Sequence, residues 1–161
     1  MFADLAFSVG QFQTAGENYQ KLANAPWPQM KVFGTLRLAH ANVGQGQFDD
    51  ALAKFEQVAG YNATTPEQQA LVAEAQAGRA RCLGETGKAQ EGIAAVEKII
   101  TDNDPKTQKT LFAQAYNAQG VCYRSSSQNK DAILAFLHVH LIFNQNPVSY
   151  THLEPTRLGM I

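Results

Sequence analysis

The chain has 161 residues, 45% of them hydrophobic, and its 13 Lys and Arg against 14 Asp and Glu leave a formal charge of −1. That length fits one domain. A near-neutral chain lacks the electrostatic footprint of a nucleic-acid binder, shows no polybasic cluster for a membrane surface, and has no apolar run of the ~18 residues that a membrane span needs.

Taken in order, the sequence patterns predict eight helices and no strands. The first covers about 2–9. Met1-Phe2-Ala3-Asp4 opens with no basic segment, so it is not a signal peptide. Counting back from Gly10, this helix should begin before Met1, which marks the chain as a fragment with a shortened first unit. The second helix covers about 12–24. Pro26 and Pro28 flank Trp27 and punctuate the boundary to a third helix at 28–45, because proline is tolerated only in a first helical turn. The fourth, at 48–60, carries Ala51, Leu52, Phe55 and Val58 on one face. Thr65-Pro66-Glu67-Gln68 reads as an N-cap followed by proline for a fifth helix at 66–86. The sixth covers about 89–102. Asp104-Pro105 is read as the same start signal for a seventh at 106–126, and the eighth covers 129–144.

Four short breakers interrupt these patterns, beginning at Gly10, Gly46, Gly87 and Ser127. Glycine is cheap at the positive φ that a sharp turn between antiparallel helices needs. Five residues after each breaker begins comes a small residue, Ala15, Ala51, Gly92 or Ala132, at intervals of 36, 41 and 40 residues. Four residues later stands Tyr19, Phe55, Val96 or Phe136. A small and a large apolar residue at i and i+4 share one helix face, and a period of this length signals stacked helical hairpins.

The fourth unit reads Gly120, Tyr123, Ala132, Phe136. This resembles the tetratricopeptide repeat, with Gly then Tyr in its first helix and Ala then Phe in its second. The resemblance spans residues 1–146 in four units. Gly92 and Val96 depart from it, as does Asn42 in the place of the Tyr. The units are stretched beyond the family's ~34 residues, with extra residues around Tyr61 to Pro66. The resemblance implies an all-α, right-handed α-solenoid of about four helical hairpins. The Ala- and Gln-rich style, as in Arg79-Ala80-Arg81-Cys82-Leu83 and Asn117-Ala118-Gln119-Gly120, is similar to bacterial envelope repeat proteins. That implies a periplasmic or envelope setting, with the cytoplasm as the alternative. Residues Pro147 to Leu153 resemble the translation of a transposon-end adapter used in sequencing libraries, so 147–161 is expected to be a non-native or disordered tail.

No constellation points to catalysis, and no cofactor or metal is expected. Cys82 and Cys122 occupy the same slot, five before a breaker, and read as two small buried residues, a disulfide being the alternative. His138 and His140 lie i and i+2 on a helix, about 200° apart, and so cannot share a metal. Asp49, Asp50, Asp102 and Asp104 sit at helix ends, where carboxylates serve caps and the macrodipole.

In tetratricopeptide arrays the first helices line the concave face. Carried over by repeat position, the resemblance implies a partner-binding groove made of Leu36, His40, Glu74, Arg81, Gln114, Asn117 and Arg124, joined by Val43, Ala77 and Val121. Arg81 and Arg124 would hold a carboxylate or an acidic peptide by forked hydrogen bonds, or else pair with Glu74 and Glu85. The expected function is a non-enzymatic interaction scaffold for a protein or peptide partner, with no nucleic acid and no membrane insertion. The alternative is a structural spacer in a longer solenoid. The last helix is apolar around most of its circumference and the first exposes Phe2, Leu5 and Phe7. Self-association through exposed repeat ends is therefore expected.

Overall fold

The computed structural model describes residues 2–143; the expectation for the tail at 147–161 lies outside them. Among the described residues there are eight helices and no strands: α1 (Phe2–Ser8), α2 (Phe12–Ala23), α3 (Pro28–Gly44), α4 (Phe48–Ala59), α5 (Pro66–Glu85), α6 (Ala89–Asp102), α7 (Lys109–Ser125) and α8 (Asn129–Phe143). Each helix packs on the next in sequence, and α5 also lies alongside α7. The result is a helical repeat solenoid of four hairpins.

The turns inside the hairpins follow from one backbone device. Gly10, Gly46 and Gly87 have φ of 79°, 74° and 82°, and Ser127 has φ of 61°. The next residue in each case donates back across the helix end, from Gln11 N to Ala6 O (2.8 Å), Gln47 N to Asn42 O (2.9 Å), Lys88 N to Leu83 O (2.8 Å) and Gln128 N to Tyr123 O (2.9 Å). This six-to-one bond is half of a Schellman motif, and it satisfies a carbonyl that the helix leaves orphaned.

A side chain caps the start of α5, whereas Gln11, Trp27, Gln47, Lys88 and Gln108 precede α2, α3, α4, α6 and α7 without a side-chain cap bond. At α5 the Thr65 hydroxyl accepts from Gln68 N (3.4 Å) while Gln68 Oε1 accepts from Thr65 N (3.3 Å), a complete capping box with Pro66 behind it. Trp27 occupies the N-cap of α3, with Pro28 at its first position. The seventh helix departs from expectation. Asp104 Oδ1 accepts from Lys106 N (2.9 Å) and Asp104 O from Gln108 N (3.0 Å), closing one separate turn before α7 begins at Lys109. An Asp side chain bonding two residues on makes an Asx turn, and that turn replaces the expected helix start.

The core is a set of small-against-large contacts. Ala51, Phe55 and Val58 of α4 are buried with Leu36, Ala39, Ala75 and Cys82. A Cβ placed on Gly78 would lie 2.5 Å from the Phe55 ring, and one on Gly120 would lie 2.5 Å from the Phe136 ring. Phe12 sits against Gly44 in the same way, and Cys122 Sγ against Gly92. Gly78 and Phe55 join neighbouring hairpins, whereas Gly120 and Phe136 lie within one. Asn42, which stands where the resemblance would place a Tyr, is buried at 6% exposure. In the amide orientation that satisfies both its groups it donates to Leu38 O (3.3 Å) and accepts from Lys54 Nζ (3.2 Å), so it ties α3 to α4 through polar bonds.

Ser127 is the non-glycine exception among the four turns. A left-handed conformation costs an L-residue about 1–2 kcal/mol, and glycine returns about 0.5–1 kcal/mol of that as backbone entropy. Ser127→Gly is therefore expected to raise the unfolding free energy by about 0.5–1 kcal/mol in urea melts, and Gly87→Ala, where the added Cβ would meet no neighbour within 4 Å, to lower it through φ alone.

Candidate partner-binding groove

The first helices of the second, third and fourth hairpins, α3, α5 and α7, supply the residues expected to line a groove. The structure divides them. Leu36 is 0% exposed and packs with Ala39 and Phe55 inside the core, so it has no surface to offer a partner. Ala77 and Val121 are buried as well. The reason is common to all three. A first helix packs on its own second helix and on its neighbours, which leaves a narrower outward stripe than repeat position alone suggests.

His40 and Glu74 are brought together. His40 Nε2 lies 2.9 Å from Glu74 Oε1, and Arg37 Nη1 lies 3.3 Å from the same oxygen. The imidazole stands edge-on to the Phe55 ring at 5.1 Å between centroids, and the Arg37 guanidinium lies over the Phe33 ring at 5.1 Å. Glu74 thus ties α3 to α5. Burial pushes its carboxyl pKa up, but the hydrogen bond and charge of His40 and the charge of Arg37 outweigh burial and hold it below the ordinary value. Arg37 carries no sign in its local sequence; only the packing of α3 beside α5 reveals it.

Arg81 and Arg124 differ in their surroundings. Arg81 is half-buried on α5, whereas Arg124 is exposed at the end of α7 and its Nη2 lies 3.0 Å from Glu85 Oε1. Gln114 and Asn117 are half-buried on α7, one turn apart. Asn117 Oδ1 is buried and accepts no hydrogen bond, an arrangement that costs free energy unless a further donor reaches it.

A cavity of about 610 Å³ opens between the N-terminal halves of α5 and α7. Ala70, Ala73 and Leu111 give it apolar wall, while Gln69, Glu74 and Gln114 present polar groups. The turn between α6 and α7 closes one side with Lys106, beside Lys109 at the start of α7. Of the residues expected from sequence, this cleft gathers Glu74 and Gln114. Reading Asp104-Pro105 as a helix start hid the contribution of the turn. Ala70 and Ala73 were accessible by extending the stripe of Glu74 and Ala77 one turn toward the start of α5.

The other candidate groups are structural. Cys82 and Cys122 are free and fully buried, and burial pushes the Cys82 thiol up to about 12 and that of Cys122 to about 11. Such thiols are poor nucleophiles at neutral pH. His138 stacks on Tyr116 at 4.7 Å while His140 is exposed, and no metal-binding group of three or more His, Cys, Asp or Glu occurs among the described residues. No helix there is long and apolar enough to cross a membrane.

Residues 36–106, which run from within α3 past the end of α6, match the family model described as Tetratricopeptide repeat. Repeats of this kind generally mediate protein–protein contacts. No curated protein and no solved structure matches the chain.

Because the folded pKa of Glu74 is depressed, its contribution to stability is complete above the unfolded value and is lost as pH falls through the folded one. Glu74→Gln should therefore flatten the decline in unfolding free energy on acidification from about pH 6 to pH 3. Chemical melts across that range measure it; wild-type and variant curves running parallel would show that the cluster of His40, Arg37 and Glu74 does not stabilise the folded charge.

Proposed function

We propose that the chain binds a protein or peptide partner along its first helices, with the cleft between α5 and α7 as the seat. The supporting observation is the composition of that cleft. It joins an apolar wall to convergent amides and two lysines, the mixture that recognises an extended peptide by its backbone and by an acidic side chain or terminus. His40, Glu74, Arg81, Gln114, Asn117 and Arg124 remain the proposed first-helix contacts, without Leu36. A bacterial-envelope setting belongs to the same proposal, supported by the Ala- and Gln-rich style.

A second reading, a self-associating spacer within a longer solenoid, draws on the exposed Phe2 and Leu5 of α1, on Val9 just after it, and on the exposed apolar residues of α8. Peptides selected from a random display library on the whole chain separate the two. Under the groove reading, Gln114→Ala and Lys109→Glu each weaken the selected peptides by roughly tenfold or more, about 1.4 kcal/mol, with melting temperature unchanged. Selected peptides whose affinity is indifferent to both substitutions would contradict the cleft as the seat.

A further inference from the structure

The outward face of α8 carries an apolar stripe that the repeat architecture does not require. Ile133, Leu134, Leu137 and Leu141 are 58%, 60%, 44% and 76% exposed. The repeat phase allows each to be compared with its counterparts in the inner second helices. Ile133 corresponds to Gly16, Leu52 and Ile93, which are buried or half-buried, so a following unit built like the inner ones would shelter it. The leucines differ. Leu137 corresponds to Gln20, Glu56 and Glu97, all polar and all exposed even though further helices follow them. Glu17, Ala53 and Ala94, the counterparts of Leu134, are likewise exposed, as are those of Leu141: Asn24 and Gly60 just past α2 and α4, and Thr101 in α6. Another repeat stacked on α8 would leave these three leucines in water.

We propose that the stripe is a homodimer contact, in which α8 packs antiparallel on α8 of a second copy about a two-fold axis near Leu137. Three observations select this occupant. The stripe is one helix wide and, from Leu134 to Leu141, about 10 Å long, which suits a single helix and not the face of a domain. Its leucines fall at i, i+3 and i+7, the alternating three-four spacing with which helices interlock along a seam. From Ala132 to Phe143 there is no Asp, Glu, Lys or Arg, whereas the counterpart face holds Glu17, Glu56 and Glu97. A two-fold axis near Leu137 sets that residue against its own copy and Leu134 toward Leu141 of the second copy, so a glutamate at position 137, as at the inner counterparts Glu56 and Glu97, would meet its own like charge, and the charge-free stripe avoids that repulsion. The inner second helices keep their glutamates at these positions; α8 lacks them. Such a patch covers a few hundred Å², well short of the ~1,200 Å² of a permanent interface, so the dimer is reversible.

Sedimentation equilibrium of the whole chain, up to about 0.5 mM so that a micromolar to sub-millimolar Kd is read, tests this. The wild type is expected to dimerise. Leu137→Glu should shift it to monomer with unchanged helicity and melting temperature, since the side chain is exposed. Leu5→Glu, on the far end of the array, should leave the dimer intact. Leu137→Cys should cross-link two copies under oxidation, because Cys82 and Cys122 are buried out of reach. A wild type that stays monomeric throughout would overturn the proposal, as would a dimer that survives Leu137→Glu. Dissociation by Leu5→Glu would also overturn it, by showing that the copies stack end to end.

Discussion

The Phe55 ring lies against the backbone of Gly78, and α4 approaches α5 as closely as it does because Gly78 has no Cβ. Gly44 with Phe12, Gly92 with Cys122 and Gly120 with Phe136 repeat the arrangement. A large side chain filling the space left by a small one brings interiors to the density of organic solids, where one methyl group is felt. Stacking hairpins this way lets a chain with 17% charged residues and a modest supply of large apolar ones bury a continuous core. Alanine carries much of it: Ala15, Ala39, Ala51, Ala75, Ala80 and Ala115 are all 0% exposed. Alanine also has the highest helix propensity, so local and tertiary preferences agree.

Much of this was legible in the sequence because both signals are local. A breaker and, five residues on, a small residue can be counted without knowing what packs where. The resulting phase placed all four left-handed turns, Ser127 included. Helix starts were legible where a cap and a proline coincide, as at Thr65-Pro66. They failed at Asp104-Pro105, where a capping residue type followed by proline closes a turn instead, and the choice depends on bonds to Lys106 and Gln108 that the pair itself does not encode.

The groove was less legible, because it depends on the angle at which first helices present their faces. Repeat position assigned Leu36 and Glu74 to one surface, but Leu36 is swallowed by the α3–α4 contact while Glu74 emerges beside α7. The ties from Arg37 and His40 to Glu74, and from Arg124 to Glu85, join residues between 34 and 39 positions apart. The first two fix α3 against α5, and the third fixes α5 against α7 at their C-terminal ends.

The account rests on the close approach at Gly78, and the unfolding free energy of Gly78→Ala tests it most directly. Helix propensity alone predicts a gain of about 1 kcal/mol. Overpacking against a fully buried ring predicts a cost of about 1–3 kcal/mol, toward its upper end here because the added Cβ would fall 2.5 Å from Phe55, which is 0% exposed. A net loss of about 1–2 kcal/mol is therefore expected. A net gain of about 1 kcal/mol, the behaviour of an exposed helical glycine, would contradict the small-against-large packing from which the solenoid is built.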